Sequence, residues 1–382
     1  MHRMLMLNNE YPPLGGGTGT VNQALLRHFS KFPSLKIDLV TSALGRRYEE
    51  EQFAKTIHIY KVPVNNRNIH HSSNRELITY AMRGFRFAWK LHREQPYDLC
   101  LAWSAVPAGA MALALKLLIK LPYLVRVSGP DIPGFERRYR LLYPILTPII
   151  RGTWQGAKIV VAKCESEAEL IRAVDKNVNL TLIPNGVNFD AFKPGDPIST
   201  GETLRLLCVG RLIERKGQYQ LIMAMKHLKE QGVIVSLDLI GKGDAEDRYR
   251  ALAIDLGVEN EVRFIGYVPR EEIAKYYATA HVFVLASYNE GMSVATLEAM
   301  AAGLPVVTTR TGGSADLISE GVNGFTFEWG DVDTLTDHLT YLANNRASAR
   351  KMAIASRERA MKFTWDYPAN RYLELFKSFG KN

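Results

Sequence analysis

The chain of 382 residues has only three cysteines, and each lies in or beside an apolar run: Cys100, Cys164 and Cys208. So sparse and odd a set argues against a disulfide framework or a cysteine metal cage, and it predicts reduced core thiols in a cytosolic protein. The nine histidines show no metal-ligand spacing, so no metal site is expected. The first residues, MHRMLMLNNEYPP, lack a secretory signal, which also predicts a cytoplasmic location.

A long uninterrupted apolar run is missing too. The most apolar segment covers residues 105–125, but Lys116 and Lys120 interrupt it, and Pro107 and Pro122 flank its helical part. A membrane-spanning helix needs about 20 consecutive apolar residues. We therefore predict a buried helix of a globular domain at this position.

Length and composition are those of a soluble enzyme with two domains. The chain exceeds the size at which a single hydrophobic core stops growing, while 47% of its residues are hydrophobic and 23% are charged. The net charge of +9 is unevenly placed. Residues 1–180 hold 25 Lys and Arg against 14 Asp and Glu, whereas residues 181–382 hold 23 against 25.

The excess of positive charge is concentrated in ERRYRLLYPILTPIIRGTW, residues 136–154. Arginine interleaved with Tyr, Leu and Trp fits a peripheral contact with an anionic membrane surface. A solvated basic face is the alternative. No nucleic-acid partner is expected, because no recognised binding motif accompanies the charge.

Apolar, β-branched segments alternate with helical patterns along the chain, which predicts an α/β fold with parallel sheets. In the N-terminal half, the predicted strands are 3–9, 36–42, 57–62, 97–103, 123–128, 158–163 and 180–185. In the C-terminal half, they are 204–210, 234–241, 262–268, 281–287 and 304–309. Helices are expected at about 20–32, 293–302, 334–363 and 365–379, and the helix ending at Ala302 is closed by Gly303 and Pro305.

A stretch dense in Pro, Gly, Asn, Asp and Ser, residues 184–203, separates the two alternations and predicts an interdomain linker. We assign residues 1–184 to an N-terminal domain, 185–203 to the linker and 204–364 to a C-terminal domain. Two doubly wound, Rossmann-like domains facing each other across a cleft are the expected architecture.

Two glutamates eight positions apart are the most informative feature of the C-terminal half. Glu290 lies in a predicted turn between a strand and a helix, and Glu298 lies on that helix. Eight helical residues rise ~12 Å, about the span from a ribose to a sugar across a diphosphate. The amides of Gly291, Met292 and Ser293 point from the helix N-terminus toward any anion placed there. The unit thus offers a carboxylate for each end of a nucleotide-sugar.

Further candidates follow other strands. Arg211 and Lys216 come directly after strand 204–210, where two fixed cations suit a diphosphate. The turn GGGTG, residues 15–19, lets backbone amides approach a phosphate or sugar, although a plain tight turn is the alternative. The pair Asp331 and Asp333 resembles a metal-binding DxD, but its place just before a helix favours capping charges.

Two loops of the C-terminal half carry weaker signals. Gly266, Tyr267 and Val268 end a strand and could present backbone groups to a base edge. The segment 311–313, Thr-Gly-Gly, could supply flexible amides near the sugar.

Nearly the whole chain resembles glycosyltransferase family 4, retaining nucleotide-sugar transferases with the GT-B fold. The resemblance lies in GGGTG, RVSGPDIPG, IPNGVNFDAFKP, VGRLIERKG, LIGKGD, VRFIGYVP, NEGMSVATLEAMAAGLPVV, GVNGF and FTWDYPANRYLELF. It implies that the reaction requires no metal and uses no nucleophile from the enzyme. It also implies that the last helix, residues 365–382, crosses back onto the N-terminal domain.

The resemblance implies a role for each site residue. Arg211 and Lys216 would hold the donor diphosphate, Glu298 would bind the ribose, and Glu290 would bind the transferred sugar. The amides of residues 291–293 would contact sugar or phosphate. Gly16 and Gly17 would cap the diphosphate from the acceptor domain.

The chain departs from the family pattern at two places. A histidine is frequent in the first domain of family members, and its position falls on Ser128, which cannot act as a charged acid; Asp131 nearby is a candidate contact for sugar or acceptor. After Glu290 the chain has Gly-Met-Ser where Gly-Phe-Gly is common, which predicts an altered donor preference.

We therefore expect a cytoplasmic, metal-independent, retaining glycosyltransferase that needs no cofactor and is peripheral at the inner face of the membrane. It would move a hexose from a nucleotide-sugar, UDP before GDP, to a hydroxyl of a lipid-linked or envelope glycan acceptor. A soluble transferase with a small acceptor is one alternative, and a non-catalytic nucleotide-sugar or membrane-binding subunit is the other.

Overall fold

The computed structural model describes residues 2–66, 72–196 and 203–379, apart from the side chain of Arg138. Two compact units divide the chain. The first combines the residues up to Pro184 with those from Trp365 onward, and the second runs from Asn185 to Thr364. The segment 185–196, expected as part of a linker, is grouped with the second unit, and residues 197–202 of that linker lie outside the described part.

The first unit is built on an eight-stranded sheet with the order β3-β4-β2-β1-β5-β6-β7-β8. Its strands are β1 (His2–Leu7), β2 (Leu35–Ala43), β3 (Glu49–Ala54), β4 (Ile57–Pro63), β5 (Leu99–Trp103), β6 (Tyr123–Arg126), β7 (Val160–Ala162) and β8 (Leu180–Leu182). All neighbours are parallel except β3 and β4. Its helices are α1 (Gly17–Phe29), α2 (Asn74–Glu94), α3 (Ala110–Ile119), α4 (Tyr143–Gly156) and α5 (Glu165–Val174).

The second unit has a six-stranded parallel sheet with the order β11-β10-β9-β12-β13-β14. Its strands are β9 (Leu204–Val209), β10 (Val235–Ile240), β11 (Val262–Gly266), β12 (Val282–Leu285), β13 (Val306–Thr309) and β14 (Gly324–Phe327). The helices between them are α6 (Gln218–Glu230), α7 (Glu246–Asp255), α8 (Ile273–Thr279), α9 (Val294–Ala301), α10 (Ser314–Leu317), α11 (Val332–Asn344) and α12 (Arg346–Ala360).

The last helix, α13 (Asp366–Phe379), belongs to the first unit. It packs on α1, where the rings of Phe29 and Phe376 meet edge to face at 5.5 Å. Nδ1 of His28 on α1 also lies 3.6 Å from a carboxylate oxygen of Asp366 on α13.

The predicted alternation of strands and helices is confirmed, and the differences have local causes. The strand β3 was missed because its sequence, EEEQFA, is charged and exposed, as suits an antiparallel edge. One helix was expected over 334–363, but two form, because Asn345 leaves the helical conformation. The helix of the most apolar segment is only α3, and no helix among the described residues combines the length and apolarity needed to cross a membrane.

In each sheet, the chain adds strands first toward one edge and then, from the central strand, toward the other edge. In the first unit, β1 lies between β2 and β5, so the connections on its two sides lead to opposite edges. In the second unit, β9 lies between β10 and β12 in the same way. In open parallel sheets, the loops at the carboxyl ends of such strands diverge and leave a crevice for ligands.

Close packing around the crevice of the second unit is visible at Gly217, which lies between Lys216 and α6. Its φ is +63°, and a Cβ there would overlap the carbonyl oxygen of Ala286 and lie 2.7 Å from the ring of Trp329. Gly232, after α6, has a similar φ of +73° but open space around it.

We predict that Gly217→Ala lowers the free energy of unfolding more than Gly232→Ala does. Both changes incur the left-handed backbone cost of roughly 1–2 kcal/mol. Only Gly217→Ala adds overpacking, roughly 1–3 kcal/mol more. Urea denaturation of both variants measures the difference, and equal losses would contradict the close packing at Gly217.

Candidate functional site

The second crevice brings together two loops that are distant in sequence. The loop after β9 contains Arg211 and Lys216, and the loop after the neighbouring strand β12 contains Glu290. The amide of Tyr288 donates to the carbonyl of Arg215 over 2.8 Å, which joins the two loops directly. Two of the predicted catalytic residues are therefore neighbours because their strands pair.

Lys216 and Glu290 form an ion pair between Nζ and Oε1. Both side chains are mostly buried, with 15% and 17% of their surfaces exposed. Burial alone would raise the pKa of Glu290. The charges of Lys216 and Arg215, with a hydrogen bond from Lys216, outweigh that effect and lower the pKa below its ordinary value of 4.5. Glu290 is thus held as a carboxylate.

Arg215 was not singled out from the sequence, where it looked like one more surface charge. Its guanidinium donates to the carbonyl of Asn289 over 3.3 Å, and its charge acts on Glu290. Arg211 lies at the start of the same loop, and its carbonyl accepts a hydrogen bond from the Gln218 side chain at 2.9 Å. The loop therefore places Arg215 and Lys216 beside the turn that contains Glu290, and Arg211 stands at the start of the same loop.

Glu298 lies on α9 in a different environment. Its carboxylate is buried, one oxygen lies 2.8 Å from the guanidinium of Arg270, and the other accepts a hydrogen bond from the Tyr277 hydroxyl at 3.0 Å. Burial raises the pKa of Glu298, against the lowering effects of Arg270 and Tyr277. Neither partner was predicted, because Arg270 and Tyr277 come from the segment after β11.

The turn before α9 is fixed from several sides. Ser293 caps the helix, and its Oγ accepts the amide of Thr296 at 3.2 Å. The side chain of Asn185 donates to the Met292 carbonyl at 2.8 Å, and the amide of Gly313 donates to the Glu290 carbonyl at 3.2 Å. A Cβ at Gly313 would overlap the carbonyl of Gly291, so the loop after β13 needs glycine there.

Gly266 is the last residue of β11, at the edge of the same sheet, and Tyr267 and Val268 begin the loop that follows. Gly266 has a φ of +81°, and its carbonyl accepts the amide of Gly241 at 2.8 Å. Tyr267 is 61% exposed. The polypeptide then continues to Arg270, which contacts Glu298. The segment expected to meet a base is therefore linked to the carboxylate expected to bind a ribose.

In the first unit, Gly16 and Gly17 lie at the start of α1, after the central strand β1. The helix begins at Gly17, three residues before the predicted start at Thr20, and Gly16 is its N-cap. The amide of Gly16 donates to the Glu10 carboxylate over 3.4 Å. A carboxylate of the chain itself therefore occupies part of this amide cradle.

Ser128 and Asp131 form a turn after β6. The Asp131 carboxylate accepts the amides of Ser128 at 2.7 Å and of Ala105 at 2.6 Å. Burial raises the pKa of Asp131 despite these hydrogen bonds. Asp131 therefore ties the loops after β5 and β6 together.

Among the described residues, no group of three or more His, Cys, Asp or Glu side chains could hold a metal ion. Asp331 caps α11 by accepting the amide of Thr334 at 3.0 Å, so the capping interpretation is confirmed. The three cysteines are buried free thiols, as predicted.

The chain matches two models of known families. The model described as Glycosyltransferase Family 4 matches residues 15–191, and the model described as Glycosyl transferases group 1 matches residues 193–359. Together they span most of both units. The chain belongs to glycosyltransferase family 4, and it is a glycosyltransferase with the GT-B fold.

Individual proteins agree with this assignment. A GDP-mannose-dependent alpha-(1-6)-phosphatidylinositol monomannoside mannosyltransferase of Mycolicibacterium smegmatis is 29% identical over 390 residues, which cover 97% of each chain. Sucrose-phosphate synthase of Thermosynechococcus elongatus shares the fold with a TM-score of 0.86 at 21% identity, over 99% of each chain. HepE of Anabaena, solved with UDP-glucose, has a TM-score of 0.79 at 18% identity, over 99% of this chain and 100% of its own.

The two glutamates should affect stability with opposite dependence on pH. We compare Glu290→Gln and Glu298→Gln, which remove the charge and keep the shape. The Glu290 pKa is lowered on folding, so its contribution to stability grows as pH rises toward 4.5 and is lost in Glu290→Gln. The Glu298 pKa is raised, so ionisation above pH 4.5 costs the wild type stability that Glu298→Gln retains.

The measurement is urea denaturation at several pH values on both sides of 4.5. Relative to the wild type, Glu290→Gln should lose stability as pH rises and Glu298→Gln should gain it, with each pKa unit worth about 1.4 kcal/mol. Parallel curves for the two variants would contradict the opposite electrostatic environments.

Proposed function

We propose that this glycosyltransferase transfers a hexose from a nucleoside diphosphate sugar to a hydroxyl of a lipid-linked or envelope glycan, without a metal and with retention of configuration. The observation that supports it best is the Lys216 and Glu290 ion pair at the reversal point of the second sheet. A cation beside a carboxylate in a crevice suits a leaving diphosphate next to a bound sugar.

Each part of the donor has a proposed contact. Arg211 and Lys216 bind the diphosphate and stabilise its negative charge as the bond to the sugar breaks. Glu290, held ionised, accepts hydrogen bonds from hydroxyls of the transferred hexose. Glu298 accepts hydrogen bonds from the ribose, and the backbone of 266–268 contacts the base.

Metal independence follows from the charges in this proposal. A diphosphate leaving group needs positive charge, and the loop after β9 supplies it from the protein. The amides of Gly291, Met292 and Ser293 at the start of α9 add a fixed partial positive charge to the same place. The capping of α11 by Asp331 supports this part of the proposal, because it gives the DxD motif of residues 331–333 a structural role.

The nucleotide base and the hexose of the donor can be identified by comparing candidate donors directly. Family frequency favours UDP, but the M. smegmatis relative, aligned over 97% of this chain, is named for GDP-mannose. We therefore place GDP-mannose first and UDP-glucose second among donors to test. The same relative acts on a phosphatidylinositol mannoside, which supports a glycolipid acceptor here.

A donor panel tests the proposal. We expect one nucleotide-sugar series to raise the melting temperature of the wild type equally with magnesium and with EDTA, because a ligand of the folded state stabilises it by mass action. The shift should disappear in Glu298→Ala and Lys216→Ala, while Lys226→Ala, an exposed lysine of α6 in an i,i+4 pair, should keep it.

A need for magnesium would contradict metal independence. No shift with any UDP-, GDP- or ADP-sugar would favour a non-catalytic subunit. With the donor known, the anomeric proton coupling in the NMR spectrum of the product decides retention, and inversion would refute that part.

Membrane contact is proposed for the segment that precedes α4 and its outer face. Ile145 and Ile149 lie four residues apart on α4, so they share one helix face, and Leu141 lies in the turn before the helix. Leu141, Ile145 and Ile149 are 87%, 70% and 47% exposed. Arg137 and Arg140 are exposed beside them. Apolar side chains flanked by arginines suit the surface of an anionic bilayer.

We predict that the double variant Leu141→Ser/Ile145→Ser loses most of its binding to vesicles that contain phosphatidylglycerol, because the apolar anchors are gone. Ile254→Ser, which removes an equally exposed isoleucine from α7 in the second unit, should bind as the wild type does. Co-sedimentation with anionic and with neutral vesicles measures both. Absence of wild-type binding at moderate salt would leave the soluble transferase with a small acceptor as the better proposal.

A further inference from the structure

The carboxylate of Glu298 is held from two sides. Its side chain is only 5% exposed, yet Arg270 lies 2.8 Å from Oε1 and the Tyr277 hydroxyl donates to Oε2 over 3.0 Å. A carboxylate this deep needs such partners, because burying an unpaired charge is costly. Arg270 and Tyr277 are therefore part of the reason that a glutamate can stand at this position.

The two partners differ in how firmly they are fixed. Tyr277 is completely buried, its ring meets the rings of Phe192 and Phe283, and its hydroxyl also reaches the Ala295 carbonyl at 3.3 Å. Arg270, in contrast, lies in the loop between β11 and α8 with 35% of its side chain exposed. Tyr277 is a fixed support, and Arg270 is a partner that solvent or a ligand can reach.

The contact with Arg270 leaves Oε1 able to accept more. Within the ranges that the structure describes, Oε1 of Glu298 is buried and takes part in no hydrogen bond of good geometry, although the guanidinium is near it. The attraction is therefore mainly between charges. A hydroxyl that approached Oε1 would find an acceptor direction still open.

The position of Arg270 in the chain connects two parts of the donor site. It follows the segment 266–268, which we propose for the base, by two residues, and it reaches Glu298, which we propose for the ribose. Arg270 therefore connects the segment proposed for the base with the carboxylate proposed for the ribose.

We infer that Arg270 is a positioning residue for donor binding, which favours the ionised form of the buried Glu298 carboxylate and orients it so that it accepts the ribose hydroxyls. This inference rests on the proposed role of Glu298. Arg270 does not take part in the transfer itself, and its effect is on affinity for the nucleotide and on the pH range of binding.

The electrostatics around Glu298 support this role. Burial raises the pKa of Glu298, and the charge of Arg270 is the largest effect that lowers it. The pKa of Tyr277 is itself raised well above 10, so its hydroxyl remains a neutral hydrogen-bond donor. Burial also raises the pKa of the nearby Cys208 thiol, to about 12. Arg357 of α12 binds the Ala301 carbonyl at the opposite end of α9. Because the charge of Arg270 is the largest effect that lowers the Glu298 pKa, removing Arg270 raises that pKa further.

The experiment measures the dissociation constant of the nucleoside diphosphate, GDP or UDP, by isothermal titration calorimetry between about pH 6 and about pH 9. The proteins are the wild type, Arg270→Met and Arg270→Lys. Arg263→Met is the matched control, because Arg263 forms a comparable pair with Asp238 on β10 in the same unit. The melting temperature of each variant is recorded first.

Arg270→Met should bind the nucleotide more weakly than the wild type at pH 6, and this difference should shrink as pH rises, because the Glu298 pKa is higher without Arg270 and each unit of pKa above the assay pH lowers the ionised fraction about tenfold. Arg270→Lys, which keeps the charge, should restore much of the affinity at pH 6. Arg263→Met should follow the wild type.

Two results would overturn the inference while the proposed function stands. One is unchanged or tighter binding by Arg270→Met at every pH. The other is a loss of the same factor at every pH, which would indicate a purely structural role. A wild type that binds no nucleotide would instead overturn the proposed function and this inference with it.

Discussion

The pairing of β9 with β12 is the constraint on which the candidate site depends. These strands are more than seventy residues apart in the chain, yet they are neighbours at the point where the second sheet reverses. Their carboxyl ends therefore deliver Lys216 and Glu290 to one place, and the ion pair between them is a consequence of strand order. Gly217, squeezed between Ala286 and Trp329, is what allows the two loops to approach so closely.

One strand, turn and helix present two carboxyl groups whose pKa values are shifted in opposite directions. Glu290, near Lys216 and Arg215, has a lowered pKa, while Glu298, in the interior of the same unit, has a raised one. The difference does not arise from the glutamates, which are chemically identical, but from the loops that face them. The loop after β9 supplies cations to the first, and the segment after β11 supplies one arginine and one tyrosine to the second.

Much of this arrangement could be predicted from sequence, because strand periodicity and glycine-containing turns are local signals. The strands that flank the site, the start of α9 and the capping by Asp331 were all visible in that way. What could not be predicted is which loops touch. Arg215 and Arg270 look like ordinary surface charges in the sequence, and only the folded sheet brings them to Glu290 and Glu298. The edge strand β3 was missed for a related reason, since its charged residues hide its pairing with β4.

The two units share an architecture but treat their polar groups differently. At the carboxyl ends of the first sheet, Glu10 takes up the amide of Gly16, and Asp131 takes up the amides of two loops. These carboxylates are used to hold the backbone. In the second unit, the backbone of the turn before α9 is held by Asn185, Ser293 and Gly313, and the Glu290 carboxylate pairs with the Lys216 side chain. An ion pair between side chains can exchange partners when a charged ligand arrives, whereas a carboxylate engaged in bracing the backbone cannot do so without loosening its loop. This difference is the physical reason for which we propose that the second unit recognises the charged donor.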